Sequence, residues 1–288
     1  MANFITLKLT IEVETGLRIG GEKETFEIGG IDNTVVKTIF IRDSRNGDSK
    51  NNDLKIFKDR RKIPIIPGSS LKGRIRSIIE EKLGIAEAIR RVRNTDLMLV
   101  SNEKELDLLR KSLKNISEIS EDQLKNLENN IRRVWRIFGK SGSTEDRELV
   151  LGNTIFTDLY PTEETLKEWD KLYERELTYD VGTEIKVENV IDRKTGTAQH
   201  PRKMERVIPG SKFEGYIIFR LKGESLSEEE KKDLELIIEG LKDLQDYYYL
   251  GSSGTRGYGR VKISIFDKNV KNINVEELIK LANQNKGK

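Results

Sequence analysis

The sequence has no cysteine and only one histidine, His200, among its 288 residues. Without cysteine the chain can form neither disulfides nor thiolate zinc sites, and one histidine cannot supply the several nitrogen ligands of many catalytic zinc sites. An acid and base pair of histidines is excluded for the same reason. Any metal that the protein uses must therefore be a hard, oxygen-binding cation such as Mg²⁺, and we expect no zinc site.

Long hydrophobic runs are also absent, because no stretch of eighteen apolar residues occurs. The N-terminus enters an alternating pattern directly, without the basic and apolar regions of a signal peptide. These two features predict a cytoplasmic protein that does not associate with a membrane.

Charge is unevenly distributed, although the net charge at pH 7 is only +3. Residues 55–76 contain eight Lys or Arg and one Asp, whereas residues 224–246 contain nine acidic residues and three lysines. The first region is suited to binding an anion, and the second is typical of a solvated helix face.

Two segments carry the strongest chemical signal. Asp32 follows the pair Gly29-Gly30, where the lack of side chains lets another backbone approach the carboxylate. About forty residues later Pro67-Gly68 precedes a predicted helix for which Ser69 or Ser70 is a favoured N-cap. The free amides of such a helix start attract anions, and Gly73 leaves room for a bulky one.

Further basic and glycine-rich segments flank these two. Lys72 and Arg76 are predicted to share an exposed face of the helix, one turn apart. Residues 251–259, Gly-Ser-Ser-Gly-Thr-Arg-Gly-Tyr-Gly, run from a predicted helix to a strand, the reverse of a Rossmann or Walker loop. This loop is either a simple connection or a nest of amides for an RNA backbone. Residues 188–206 carry several Lys and Arg around a Thr-Gly turn, and this pattern predicts a basic surface hairpin.

The order of predicted elements indicates the fold class. Residues 4–14 alternate as a half-buried strand, and the helix from Ser69 follows. A helical insertion with a Ser120–Gln123 capping box comes next, and then strands, a helix that begins at Ser227, and a last strand over residues 261–265. Without the insertions the order is strand, helix, strand, strand, helix, strand, which predicts an α+β, ferredoxin-like core of the RNA-recognition type.

Three of these motifs together resemble the RAMP superfamily of CRISPR proteins, most closely the repeated backbone subunit of the type III-A (Csm) interference complex. They are the Gly-Gly-Ile-Asp-Asn loop, the Pro-Gly-Ser-Ser-Leu-Lys-Gly helix start and the late glycine-rich loop. The likeness covers the first third of the chain and about residues 184–266. It implies one RAMP-type domain with a modified RNA-recognition fold. Its predicted parts are a core over residues 1–84 and 149–266, a loop insertion over 33–62, a helical insertion over 85–147, a thumb-like hairpin over 188–208 and a C-terminal tail over 267–288.

The resemblance also implies a function. A backbone subunit assembles with further copies of itself and other subunits along a CRISPR guide RNA, which pairs with target RNA. Asp32 aligns with the acid that cleaves the target, alone or through a bound divalent cation such as Mg²⁺. Together with the patterns above, the resemblance predicts these RNA-binding residues: Arg18, Gly29, Gly30, Ser69, Ser70, Lys72, Arg76, Arg193, Arg202, Arg206, Ser252, Ser253, Arg256 and Tyr258.

One departure from the family pattern concerns Arg18, because many relatives have a histidine shortly before the Gly-Gly pair. An arginine cannot act as a general base, but it can hold a phosphate.

Two alternatives remain open at this stage. The chain could be a structural RNA-binding subunit of a related CRISPR complex in which Asp32 is inert. It could also be a stand-alone endoribonuclease of the same superfamily that processes guide RNA.

Overall fold

The computed structural model describes residues 3–21, 34–39, 62–92, 97–115, 119–140 and 151–267. Asp32, Gly29 and Gly30 lie outside the described residues, as do most of the predicted 33–62 insertion and the tail beyond residue 267. Helices and strands alternate irregularly along the rest of the chain, so the α+β class is confirmed. In chain order the elements are β1 (Asn3–Val13), β2 (Lys37–Ile39), β3 (Lys62–Pro64), α1 (Gly68–Lys82), α2 (Ile85–Arg91), α3 (Glu103–Lys114), α4 (Glu121–Phe138), β4 (Thr154–Phe156), β5 (Tyr160–Pro161), α5 (Glu163–Glu174), β6 (Thr183–Ile191), β7 (Ala198–Val207), β8 (Lys212–Leu221), α6 (Glu228–Tyr247) and β9 (Val261–Asp267).

The central sheet has the strand order β4-β8-β1-β9, and β5 pairs with β8 beside β4. All of these pairs are antiparallel. The alternation predicted for the first strand is confirmed, because Leu7, Leu9, Ile11 and Val13 of β1 are buried. Burying every second side chain of a central strand fixes its register, since a slip by one residue would turn the apolar side chains to the other face.

The helices α1 and α6 pack against each other. The apolar positions of α1 predicted from the helical period, Leu71, Ile75, Ile78 and Ile79, are buried. Gly240 of α6 lets the two helices approach closely, because a Cβ at this position would lie 3.2 Å from the Ile75 side chain. The predicted capping boxes, Ser120–Gln123 in α4 and Ser227–Glu230 in α6, are both present.

The start of α1 differs from the prediction. The helix begins at Gly68 with Pro67 in the N-cap position, so the assignment of Ser69 or Ser70 as N-cap is wrong. The Gly68 N–H instead donates to the Asp158 carboxylate at 2.8 Å. Asp158 therefore caps the helix, although it lies in a distant part of the chain. Gly73 consequently lies in the second turn of the helix.

Two smaller pairs of strands stand apart from the central sheet. β2 pairs with β3, and β6 pairs with β7 to form a long hairpin, referred to below as the hairpin. The hairpin spans residues 183–207 and so begins five residues before the predicted insertion. Among the described helices, none is both long and apolar enough to cross a membrane.

Candidate nucleic-acid interface

A cleft of about 390 Å³ opens between α1 and the glycine-rich loop of residues 251–259. Two of the predicted RNA-binding segments, the helix start and the loop, therefore face each other. A third segment, just before residue 22, completes the wall. The lining residues are Ile19, Gly20, Ser70, Gly73, Arg74, Ser77, Gly251 and Ser252, and none of them is acidic.

Small side chains keep the α1 side of this cleft open. Ser70, Gly73 and Ser77 recur at helical spacing and lie on the same face of α1. No heavy atom lies within 4 Å of the place where a Cβ of Gly73 would be. A ligand can therefore approach the helix backbone at this point, as the sequence suggested.

The other wall of the cleft depends on a close approach of two backbones. Gly251 has a φ of +76°, and a Cβ there would collide with the carbonyl oxygen of Arg18. The Ser252 N–H donates to that same oxygen at 2.8 Å, and the Arg18 guanidinium donates to the Ser252 hydroxyl at 2.8 Å. Two of the predicted site residues, Arg18 and Ser252, thus hold one another in place.

Arg74 is the cation that lines the cleft, and it was absent from the predicted set. Its Nε donates to the Tyr249 carbonyl at 2.8 Å, and its guanidinium lies 4.6 Å from the Tyr249 ring and 5.1 Å from the Tyr248 ring. These contacts fix the guanidinium plane. The small residues Ser70, Gly73 and Ser77 recur on α1 at a spacing of three to four, which indicates an open helix face. Arg74 lies on that face, so this spacing could have predicted its place in the cleft.

Lys72 and Arg76 do not line the cleft. Arg76 is half-buried and donates from Nε to the Glu80 carboxylate at 2.7 Å, one turn further along α1. The expected exposed face is therefore wrong for Arg76, whose charge is compensated within the helix. The pKa of Lys72 is lowered, mainly because the ammonium is partly buried and also because the Arg76 charge is nearby.

Ser253, Arg256 and Tyr258 belong to the rest of the glycine-rich loop. Ser253 adopts a left-handed conformation with a φ of 62°, and residues 254–256 form a short 3-10 turn. Tyr258 is completely buried, so a direct contact between its ring and RNA is not available in this structure and that prediction is corrected. Its hydroxyl donates to Glu188 at 2.8 Å, and burial together with that carboxylate raises the pKa of Tyr258 to about 12.

Glu188 of β6 connects the glycine-rich loop to the hairpin. Its second oxygen accepts from Arg256 at 3.0 Å. Burial opposes the charged form of Glu188, but the hydrogen bonds from Tyr258 and Arg256 outweigh it and hold the pKa of Glu188 below its ordinary value. The hairpin and the loop that lines the cleft are therefore joined by a network of hydrogen bonds centred on Glu188.

The basic residues predicted on the hairpin fall into two groups. Arg193 is exposed in the turn at its free end, and Arg202 is exposed about halfway along β7, opposite Glu188. Arg206 lies at its base, where it donates to Glu184 at 2.9 Å and its guanidinium lies 5.3 Å from the Tyr258 ring. Arg193 and Arg202 are available to a ligand, whereas Arg206 supports the base of the hairpin.

Residues 22–33 contain Asp32 and are called the Asp32 segment below. The described residues on either side of this segment lie beside the cleft. The Gly21 N–H donates to the Thr34 carbonyl at 3.1 Å, and the Val36 N–H donates to the Ile19 carbonyl at 2.9 Å. The two ends of the segment are thus neighbours, and Gly20 next to them lines the cleft. No group of three His, Asp or Glu side chains within the described ranges is arranged to hold a metal ion.

Comparisons with known proteins agree with one another. Residues 10–262 match the RAMP superfamily. The chain is 35% identical over 264 residues to the CRISPR system Cms endoribonuclease Csm3 of Methanocaldococcus jannaschii, covering 90% of this chain and 77% of that protein. It is 33% identical to the Streptococcus thermophilus protein of the same name, covering 89% and 86% of the two chains. A chain of a type IV-B CRISPR complex has a similar fold, with a TM-score of 0.51 at 14% identity and coverage of 99% and 100%.

Proposed function

Since the chain belongs to the RAMP superfamily and is similar to the Csm3 endoribonucleases within it, we propose that it is the backbone subunit of a type III-A CRISPR effector complex. In this role it binds the guide RNA and cleaves the target RNA paired with it. It acts in the cytoplasm, beside further copies of itself and the other subunits of the complex. The observation that carries the proposal is the cleft, where two motifs predicted to bind RNA and the ends of the Asp32 segment meet.

The proposed core is ferredoxin-like. When the insertions are left out, the six core elements are β1, α1, β4 with β5, β8, α6 and β9. In chain order the four core strands are β1, β4, β8 and β9. The observed sheet order β4-β8-β1-β9 is therefore second, third, first, fourth, which is the order of a ferredoxin-like sheet. RNA-recognition modules use the same sheet, but the binding cleft proposed here lies along one face of α1 rather than on the sheet face.

In this proposal the cleft holds the sugar-phosphate backbone of the guide RNA. The Ser70 hydroxyl supplies a hydrogen bond, and Gly73 lets the backbone come close to the helix. The Ser252 hydroxyl already donates to the Arg18 carbonyl at 3.2 Å, so it is suited to accept a hydrogen bond from a ribose hydroxyl. Arg74 contributes a fixed positive charge, since its guanidinium is already stacked and hydrogen-bonded. Such contacts position an RNA without reading its bases, which is what a subunit needs when it must bind guides of any sequence.

The hairpin is proposed to separate bases of the guide–target duplex. Arg193 lies at its exposed end and Arg202 lies about halfway along it, opposite Glu188, through which the hairpin is joined to the glycine-rich loop. A nucleotide displaced by the hairpin would be taken out of the base stack. At such a kink the ribose 2′-hydroxyl can line up with its own phosphorus atom.

Asp32 is the proposed catalytic carboxylate at that kink. Its carboxylate would accept a hydrogen bond from the attacking 2′-hydroxyl or hold a divalent cation beside the reacting phosphate. When bound, such a cation would neutralise charge that develops on the phosphate oxygens. The described lining of the cleft has no carboxylate, so a Mg²⁺ ion at this place would depend on the acidic residues of the Asp32 segment, and the family resemblance points to Asp32.

The proposal is tested by isolating the protein with its native partners and sequencing the RNA bound to it. We expect guide RNAs of many sequences, and regularly spaced cuts in a matching target RNA when a divalent cation is added. A monomer that cuts precursor hairpins without a metal ion would instead identify a guide-processing enzyme. Binding of guide and target without cutting would favour the purely structural subunit.

A further inference from the structure

Glu205 is a wholly buried carboxylate that the proposed function does not yet use. It lies on β7 near the base of the hairpin, and only 1% of its side chain is exposed. One oxygen accepts from the Thr183 hydroxyl at 2.9 Å and from the Lys37 ammonium at 2.6 Å. The other oxygen accepts from the Val35 N–H at 3.0 Å. Both oxygens of a buried charge are therefore satisfied.

These partners come from two different parts of the chain. Val35 lies two positions after the end of the Asp32 segment, whereas Thr183 is the first residue of β6. Lys37 also pairs with Asp180, at 2.7 Å. Burial opposes the charged form of Lys37, but its hydrogen bonds with Asp180 and Glu205 outweigh burial and raise the pKa of Lys37. The Glu205 carboxylate thus joins the returning end of the Asp32 segment to both strands of the hairpin.

The entering end of the Asp32 segment is held by the same part of the hairpin. Leu17 and Val207 exchange two backbone hydrogen bonds, of 3.2 and 2.8 Å, two residues away from Glu205 along β7. Backbone pairing of this kind depends little on side-chain identity. The returning end is also paired through its backbone with Ile19 and Gly21, but the hydrogen bond from the Val35 N–H to the hairpin goes to a side chain. This link to the hairpin can therefore be removed by substituting a single residue.

A buried ion pair is a poor way to gain stability, because the loss of hydration offsets most of the attraction and an apolar pair of similar volume does as well. What such a group does provide is a defined geometry, since a buried carboxylate tolerates few arrangements of its partners. The geometry that Glu205 defines is the position of Val35 relative to the hairpin.

We propose that Glu205 is a positioning residue for target cleavage. It holds the returning end of the Asp32 segment at a set place on the base of the hairpin, so that the acid and the nucleotide displaced by the hairpin stay in register. This inference rests on the proposed catalytic role of Asp32. A displacement of about 1 Å in a catalytic group can cost about a hundredfold in rate, so the loss of one such link is expected to be measurable.

The test uses the assembled complex and two variants. Glu205→Met has a similar length but no acceptor for the Val35 N–H, whereas Glu205→Gln keeps one amide oxygen for it. We expect the single-turnover cleavage rate at saturating target RNA to fall about ten- to a hundredfold for Glu205→Met and less for Glu205→Gln. The dissociation constant for target RNA should change by less than about threefold, and the minor products should lie one nucleotide from the normal cuts.

A matched control separates positioning from general loss of stability. Asp233 is likewise a fully buried carboxylate that pairs with cations, namely Arg133 and Arg136 between α4 and α6, away from the cleft. Asp233→Asn should lower the melting temperature while leaving the cleavage rate and cut positions of the folded complex within about twofold of wild type. If Asp233→Asn slows cleavage as much as Glu205→Met, the effect is only structural and the proposal is overturned.

The remaining outcomes distinguish this inference from the function it rests on. Wild-type cleavage by Glu205→Met, together with an inactive Asp32→Ala complex, would overturn the positioning role alone. Wild-type cleavage by Asp32→Ala would overturn the catalytic assignment itself. If Glu205→Met does not fold, the double variant Lys37→Met/Glu205→Met decides the matter, since it also lacks an acceptor for the Val35 N–H but leaves no buried lysine behind. Wild-type rate and cut positions in that variant would contradict the proposal.

Discussion

Replacing Gly73 with alanine should stabilise the free protein and weaken its binding to RNA. Gly73 is an interior position of α1, and a Cβ there meets no heavy atom within 4 Å. Glycine inside a helix is less favourable than alanine by about 1 kcal/mol, so the substitution should raise the melting temperature by about 2 °C in a chain of this size.

The same methyl group would project into the cleft and hinder the approach of an RNA backbone. A larger, uncharged side chain should have a larger effect, because it fills the space that Gly73 leaves between Ser70 and Ser77. If Gly73→Gln removes one hydrogen bond to a phosphate, worth about 2 kcal/mol, the dissociation constant should rise by roughly thirtyfold. Gly73→Ala should lie between Gly73→Gln and the wild type.

The assay combines thermal melting of the free protein with fluorescence anisotropy on labelled RNA at fixed salt. Ser112→Ala in α3 is the control, since it also improves helix propensity but lies outside the cleft lining. It should raise stability slightly and leave RNA binding unchanged. Wild-type affinity in Gly73→Gln would refute the cleft as the RNA site, and a lower melting temperature in Gly73→Ala would refute the description of its surroundings.

The remaining predictions concern charge, pH and metal ions. Arg74→Ala should flatten the log–log salt dependence of RNA binding by about one unit, whereas Arg76→Ala should leave the slope unchanged because Glu80 compensates Arg76; equal slopes would contradict this distinction. The lowered pKa of Glu188 means that its charged form stabilises the fold above the ordinary glutamate value of about 4.3, and that this contribution is lost as the pH falls below it. The melting-temperature difference between wild type and Glu188→Gln should therefore be full at pH 7 and small at pH 3, and a constant difference would count against the network. Chelating divalent cations should stop target cleavage and spare target binding, with activity restored by Mg²⁺; cleavage that persists in chelator would exclude the metal requirement.

Features with a local cause were predictable from the sequence. The alternation of β1, the apolar stripe of α1 and both capping boxes depend on residues within a few positions of each other. The ion pair between Arg76 and Glu80 also has a local cause, at a spacing of four residues. It could have been read from the sequence, and it would have argued against an exposed Arg76.

Features with a distant cause were not predictable. Asp158 caps α1 from ninety residues away, so the sequence near Pro67 favoured a serine cap that does not form. Tyr258 is buried against the hairpin, where Lys186 and Arg206 lie over its ring and Glu188, seventy residues earlier, accepts from its hydroxyl. The glycine-rich loop alone suggested an exposed ring. The link from Glu205 to Val35 spans 170 residues and has no signature in either segment.

The most direct test of the account concerns Asp32, in a single-turnover cleavage assay on end-labelled target RNA with the assembled complex. If the carboxylate acts only on the reacting phosphate, Asp32→Ala should assemble and bind guide and target RNA as the wild type does, while regularly spaced cleavage falls by orders of magnitude. Cleavage at the wild-type rate would contradict the catalytic assignment and identify a structural RNA-binding subunit, and joint loss of binding and cleavage would mean that Asp32 shapes the loop instead.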